Sequence, residues 1–356
     1  MNFIHTSDIH LASKLTSKLP SAKASARRKE LTESFFRLTD EAMKRGCAAV
    51  IIAGDLFDTE KITEKELDSL FAIIERADNL AFIYLEGNHE KSVISSFGKA
   101  LPENLYIFGE GWTYYKIGDV TVAGRSETSP DMFSTLKLDP GSKNIVVLHG
   151  ELRDHSQTGG IIGLNDAAGK NIDYLALGHY HTYRTYPIDK RGYAVYSGAP
   201  EGRGFDEAGE LGYVLISEKA IGFEHKFIPF AKRKLLSVDV DVTGAKSTHE
   251  IEEKTTAALG DIGSENLVRA NLVGAKDIEA RCDKDFLTQR FSEKFYYFEI
   301  KDRSKITARP EDYRFDKSLK GEFIRLCLAD ERLSDDMREK VIRCGISALL
   351  GEAFDE

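Results

Sequence analysis

Ala48-Ala49-Val50-Ile51-Ile52-Ala53-Gly54-Asp55-Leu56-Phe57-Asp58 is an unbroken apolar run that stops at a glycine and opens into an acidic cluster. A short apolar run bounded this way predicts a strand buried on both faces, not one alternating between core and solvent. The same pattern recurs four times. Phe3-Ile4-His5-Thr6 leads into Ser7-Asp8-Ile9-His10, and Leu80 to Leu85 leads into Gly87-Asn88-His89-Glu90. Ile145-Val146-Val147-Leu148 runs into His149-Gly150, and Tyr174-Leu175-Ala176-Leu177 into Gly178-His179-Tyr180-His181. Each polar cluster therefore falls at the C-terminal end of a strand, where open α/β sheets place their ligands. The glycines allow a sharp exit from the strand and a close approach of backbone to a crowded site.

Between these strands the apolar period changes to that of helices. Ala26 to Met43 carries Leu31, Phe35, Leu38 and Ala42, and Thr63 to Ala77 carries Leu67, Leu70, Phe71 and Ile74. Thr63, with Glu66 three residues on, reads as a capped helix start. Alternating strand and helix implies α/β layering. Tyr193 to Tyr196, Gly212 to Ile216 and Gly222 to Ile228 read as successive strands without helices, and are expected to add a second sheet. A boundary is expected around Pro229 to Lys234. Beyond it, strands at 234–242, 266–272 and 296–300 alternate with helices at 249–259 and 285–291, and two helices fill 320–354.

The chemistry lies in the strand-end clusters. Asp8, His10, Asp55, Asn88, His149, His179 and His181 are the candidate metal ligands. Mixed Asp, Asn and His ligands suit hard-to-borderline divalent ions, and a pair of such ions can clamp the oxygens of a phosphoester.

With these clusters placed, the chain resembles the calcineurin-like metallophosphoesterases, and within them the bacterial SbcD-type DNA repair exonucleases. The closer likeness rests on His5 to Leu11, on Gly54 to Asp58, and on Ser197-Gly198-Ala199-Pro200-Glu201-Gly202-Arg203 followed by Glu207-Ala208-Gly209-Glu210. It implies a four-layer α/β sandwich over residues 1–231, two mixed sheets flanked by helices. A small α+β capping domain over 232–316 and a helical tail over 317–356, a candidate for partner docking, would follow. It implies one ion on Asp8, His10 and His181, another on Asn88, His149 and His179, with Asp55 between them. His89 would be the catalytic residue, acting on the transition state or the leaving oxygen. His5, Asp58 and Glu90 would orient ligands. The resemblance implies two divalent cations, with manganese expected and magnesium, iron or zinc as alternatives. It also implies DNA ends or single strands as substrate, a coiled-coil ABC-type ATPase of the SbcC kind as partner, and leaves a homodimer open. Some archaeal and eukaryotic relatives carry a histidine three residues after the bridging aspartate; Asp58 stands there here, as in bacterial members.

Other features bear on the substrate. Lys14, Lys18, Lys23, Arg27, Arg28 and Lys29 form a basic run with no acid from Ser13 to Lys29, a candidate nucleic-acid contact or simply a solvated segment. Net charge is −9, which argues against strong unaided affinity for duplex DNA. It keeps open a phosphodiesterase or phosphatase for a small nucleotide or phosphoprotein. A scaffold with purely structural metals is a third reading, disfavoured because such a site needs no acid like His89 beside its ions. Cys47, Cys282, Cys327 and Cys344 lack metal-ligand spacing and read as reduced thiols of a cytoplasmic protein. No signal peptide or membrane span is expected. His155, His225 and His249 read as ordinary surface or core histidines.

Overall fold

The structure, a computed structural model, describes residues 1–13, 19–58, 62–87, 90, 92–277, 280, 282–307 and 313–350. The chain divides into two compact units, Met1–Lys234 and Leu235–Glu356.

The first unit opens with β1 (Asn2–Thr6), α1 (Ser21–Lys44), β2 (Ala49–Ala53), α2 (Glu64–Arg76), β3 (Ala81–Leu85), the single turn α3 (Val93–Ser96) and β4 (Leu105–Ile107). Next come β5 (Thr113–Ile117), β6 (Val120–Gly124), α4 (Met132–Thr135), β7 (Lys143–His149), the short pair β8 (Glu151–Arg153) and β9 (Ile161–Gly163), and α5 (Leu164–Ala167). It ends with β10 (Tyr174–Gly178), β11 (Arg184–Pro187), β12 (Tyr193–Tyr196), β13 (Gly212–Glu218) and β14 (Phe223–Pro229). Two six-stranded sheets result, ordered β14-β13-β1-β2-β3-β4 and β11-β12-β10-β7-β6-β5. Both are mixed: β1, β2, β3 and β4 run parallel, as do β6, β7, β10 and β12, while β13, β14, β11 and β5 are antiparallel additions.

The layers follow from the period of two in each strand. From β2, Val50 and Ile52 face Phe35 and Leu38 of α1 and Leu67, Leu70 and Ile74 of α2. Ala49, Ile51 and Ala53 face the other way, onto Ile145, Val147, Tyr174 and Ala176 of the second sheet. The far side of that sheet, through Val146, Leu148, Leu175 and Leu177, is covered by Met132, Phe133, Ile162 and Ala167. This is a four-layer α/β sandwich, two mixed sheets flanked by helices, as the resemblance implies. The Thr63 cap of α2 is present in full: Thr63 accepts from the Glu66 N–H, and the Glu66 carboxylate accepts from the Thr63 N–H. Such a cap stabilises a helix start by about 1 kcal/mol.

One expectation is corrected. Of the three late strands, only β12 joins the second sheet, beside β10. β13 returns to pair antiparallel with β1, with Ile4 opposite Leu215, and β14 extends that edge of the first sheet. A strand's own residues do not name its partner, and this pairing spans some two hundred residues.

In the second unit, β15 (Leu235–Asp241), α6 (Thr248–Leu259), β16 (Leu267–Val273), the short β17 (Ala275–Asp277), α7 (Lys284–Ser292), β18 (Tyr297–Asp302) and the short β19 (Lys305–Thr307) precede two helices. The sheet order is β15-β16-β18, all parallel, with α6 and α7 as crossovers around Ile251, Leu259, Val268, Leu272, Leu287 and Phe298. α8 (Leu319–Ala329) and α9 (Asp335–Leu350) share a separate small core of Ile324, Cys327, Ile342 and Ile346. Among the described residues no helix is long and apolar enough to cross a membrane.

Candidate metal centre

Because the central strands of both sheets run parallel, their C-terminal ends open at one end of the sandwich. There the loops after β1 and β2 zip together: Asp8 N–H donates to the Gly54 carbonyl at 3.0 Å, His10 N–H to Asp55 at 3.0 Å and Leu11 N–H to Leu56 at 2.7 Å. Glu90 locks the second loop from below, its buried carboxylate accepting the backbone N–H of Leu56 at 2.8 Å and of Gly87 at 3.1 Å, and also that of Phe57. Burial raises the Glu90 carboxyl to about 7 despite these bonds.

The sheet ends approach so closely that side chains are excluded from two positions. A Cβ on Gly54, whose φ is +92°, would lie 2.2 Å from His149 Nδ1. On Gly178 it would lie 1.9 Å from the Ala53 carbonyl oxygen. Four of the candidate ligands themselves take left-handed backbone: Asp8 (φ 53°), His10 (φ 51°), Asp55 (φ 52°) and His179 (φ 111°). Each such residue costs roughly 1–3 kcal/mol and persists only where its surroundings over-determine it. The zipped loops do so for the first three. The His179 N–H is held at 3.1 Å from both Asp8 carboxylate oxygens.

The ligand atoms then converge. His149 Nε2 lies 3.4 Å from Asp55 Oδ2, His10 Nε2 lies 3.9 Å from the same oxygen, and His181 Nε2 lies 3.7 Å from Asp8 Oδ1. His10 Nε2 and His181 Nε2 face each other at 3.4 Å. Two groups of mutually close ligand atoms result, Asp8 with His10 and His181, and Asp8 with Asp55 and His149. The His179 ring packs edge-on against His149, with centroids 5.6 Å apart, and belongs to neither group. Asn88 and His89 lie outside the described residues.

These histidines are prepared as ligands. Nδ1 of His149 is 2.9 Å from the Ala53 carbonyl, which can only accept, so Nδ1 donates there and Nε2 is turned toward Asp55. Nδ1 of His181 is 2.7 Å from Glu207, and Nδ1 of His10 is 3.2 Å from Asp58. Burial alone would lower the His149 pKa, but its hydrogen bond to Asp55 and the charges of Asp55 and Asp8 raise it to about 9. The field that would hold a proton there would hold a cation more strongly, so the donor set fits a pair of divalent ions.

Glu207 was not legible as a site residue. It lies in a short 3-10 turn, Phe205–Glu207, 26 residues past His181. Asp58, on the loop after Asp55, is placed behind His10, 3.2 Å from its Nδ1. His5 is placed apart from the cluster: it is buried between the sheets, its Nδ1 2.9 Å from the Tyr174 hydroxyl, and burial lowers its pKa to about 3.

The basic run separates into unlike residues. Arg27 is corrected: it is 1% exposed, and donates to Glu30, to Glu201 at 3.2 Å and to the Gly202 carbonyl at 2.6 Å. A buried guanidinium shared between two carboxylates is a structural tie, not a surface for phosphates. Arg28 and Lys29 are exposed, Lys23 is half-buried, and Lys14 and Lys18 lie outside the described residues. Of the lone histidines, His155 lies 2.9 Å from Asp166 on the surface and His249 is exposed.

A model of the family described as calcineurin-like phosphoesterase matches residues 1–215. The chain belongs to this family. Its members use a dimetal centre, and membership implies a metal-dependent phosphoester hydrolase. The DNA double-strand break repair protein Mre11 of Sulfurisphaera tokodaii is 26% identical over 218 residues, 56% of this chain and 53% of that protein. Mre11 of Archaeoglobus fulgidus is 22% identical over 330 residues, 79% of this chain and 70% of its own length. An uncharacterized metallophosphoesterase of Bacillus subtilis, YhaO, is 26% identical over 295 residues, covering 77% and 72%. The chain thus spans about half the length of the first relative.

Proposed function

We propose that this phosphoesterase is a nuclease that hydrolyses phosphodiester bonds of DNA ends or single strands with two divalent ions, manganese foremost. The observation that carries the chemistry is the convergence of Asp8, His10, His181, Asp55 and His149, each histidine presenting Nε2 while Nδ1 is held from behind. Relatives described as DNA double-strand break repair proteins support DNA as the substrate.

In this reading Asp8, His10 and His181 hold one ion. His149, His179 and Asn88 hold the other, and Asp55 serves both. When bound, the ions supply an activated water and neutralise charge building on the phosphate. The chain's own part is to fix their spacing through the zipped loops and to present each histidine Nε2 beside a carboxylate, where a cation would displace the proton. His89 would give a proton to, or hydrogen-bond, the departing sugar oxygen.

A coiled-coil ABC-type ATPase is the proposed partner. The two-helix tail supports this with its exposed Leu319, Leu326, Met337 and Leu349, and with exposed Phe315 just before it.

The test is manganese-dependent hydrolysis of end-labelled single- and double-stranded DNA beside a small chromogenic phosphodiester. Metal-dependent release of label from DNA supports the proposal. Turnover of the small ester with intact DNA would transfer the site to a small nucleotide, which the net charge of −9 favours.

A further inference from the structure

The support of His10 and of His181 does not end at their carboxylates. Asp58, behind His10, and Glu207, behind His181, are joined by one side chain. Arg203 Nη1 donates to Asp58 Oδ1, while Arg203 Nε donates to Glu207 Oε1 at 2.9 Å and its backbone N–H to Glu207 Oε2 at 2.7 Å. A closed ring results: His10 Nε2 faces His181 Nε2 at 3.4 Å, each Nδ1 reaches a carboxylate, and the guanidinium bolts the two carboxylates together. The five residues come from the ends of three separate segments, 8–13, 54–58 and 178–207. Only the Arg203–Glu207 pair, four residues apart, is local; the other links join separate segments.

We propose that Arg203 is a positioning residue of the metal centre, setting the separation of His10 and His181 through Asp58 and Glu207 so that both Nε2 atoms meet one divalent ion. The inference rests on the dimetal reading above and names the device that tunes its first site.

Two physical points favour it. Asp58 and Glu207 are like charges around one small site, and a single cation between them removes the repulsion that would otherwise turn them away from the histidines. The guanidinium is also a planar fork, able to bind two acceptors at fixed angles, which an ammonium cannot do. Arg203 bonds to the carboxylates behind the two histidines, so its effect passes through them. Removal of such an outer partner typically weakens metal affinity by 10–100-fold.

The experiment is Mn2+ titration calorimetry on the metal-free whole chain, comparing wild type with Arg203→Met and Arg203→Lys, together with thermal unfolding without metal. For Arg203→Met, one of two Mn2+ equivalents should weaken by roughly 10–100-fold while the other is unchanged. Arg203→Lys should fall between. Turnover lost at limiting Mn2+ should return to within a few-fold of wild type at saturating Mn2+. Both equivalents binding as in wild type would overturn the proposal. So would both weakening together with a lowered melting temperature, the mark of a merely structural role. If Arg203→Met does not fold, Asp58→Asn and Glu207→Gln take its place: each should weaken the same single equivalent, and if neither does, the proposal falls. A wild-type chain that binds no Mn2+ pair would instead sink the dimetal reading itself.

Discussion

Gly178→Ala is the sharpest perturbation of the centre that leaves every ligand in place. Its Cβ would stand 1.9 Å from the Ala53 carbonyl oxygen and 2.8 Å from His149 Nδ1. Real Cβ contacts essentially never fall below 3.0 Å, so β10 and β2 must separate by about 1.1 Å, the difference between 3.0 and 1.9 Å. The Ala53 carbonyl cannot swing aside as a flexible side chain would, because it is backbone and holds His149 at 2.9 Å. Overpacking of this kind costs roughly 1–3 kcal/mol, which a sandwich of this size survives. A metal site tolerates only about 0.5 Å of misplacement, so affinity should fall far more than stability. The expected result is a folded protein with at least about tenfold weaker Mn2+ binding at the His149 site and lost hydrolysis. Gly111→Ala, which meets nothing within 4 Å, is the matched control and should be silent. Calorimetric titration and thermal unfolding measure both. Wild-type Mn2+ affinity and turnover in Gly178→Ala would refute the claim that sheet approach sets the site.

Further outcomes follow from the same geometry. Neutralising Arg28 and Lys29 should reduce the log–log salt slope of DNA binding by roughly 0.7–0.9 per lost phosphate contact and leave a small phosphodiester's turnover nearly unchanged; an unaltered slope makes them solvated surface. Arg27→Met should instead destabilise the fold by about 3 kcal/mol or more, since it strands buried carboxylates, and chemical denaturation separates the two behaviours. The hydrogen bonds and charges of Arg233 and Arg27 outweigh burial and hold Glu30 at about 2, against an ordinary 4.5. Its stabilisation is therefore complete above pH 4.5 and is lost as pH falls toward 2; at most it reaches roughly 3 kcal/mol. Glu30→Gln should cost stability at pH 6 and progressively less below pH 4.5, and a pH-independent difference would rule out this ion pairing. His89→Ala should keep both ions and lose turnover by a factor on the order of 10²–10⁴; loss of an ion would show that His89 is a ligand.

What could be read from the sequence was what depends on local pattern. Residues 49–53 and 174–178 are apolar at every position because both faces of β2 and β10 are covered, and that leaves a continuous signature. The α2 start was legible because Thr63 and Glu66 are three residues apart and satisfy each other. The destination of β13 was not, since its pairing with β1 depends on residues at the other end of the unit. Arg27 looked like its neighbours Arg28 and Lys29, because a charge run does not reveal which member turns inward. Here the buried Glu201, far along the chain, decides it. Glu207 and Arg203 carry no local signal of a site role, because their partners Asp58 and His181 lie elsewhere in the chain. Strand-end placement marks the candidate ligands, and only the three-dimensional arrangement shows which groups stand behind them.

The most direct measurement of the central claim is metal content by mass spectrometry on manganese-loaded wild type and Asp55→Ala. Asp55 belongs with His149, 3.4 Å from its Nε2, yet lies only 3.9 Å from His10 Nε2 of the other group, and is the anion we propose both ions would share. The account predicts two Mn2+ per wild-type chain, fewer than two in a folded Asp55→Ala chain, and no hydrolysis by the variant. Two full equivalents in an active Asp55→Ala protein would contradict it.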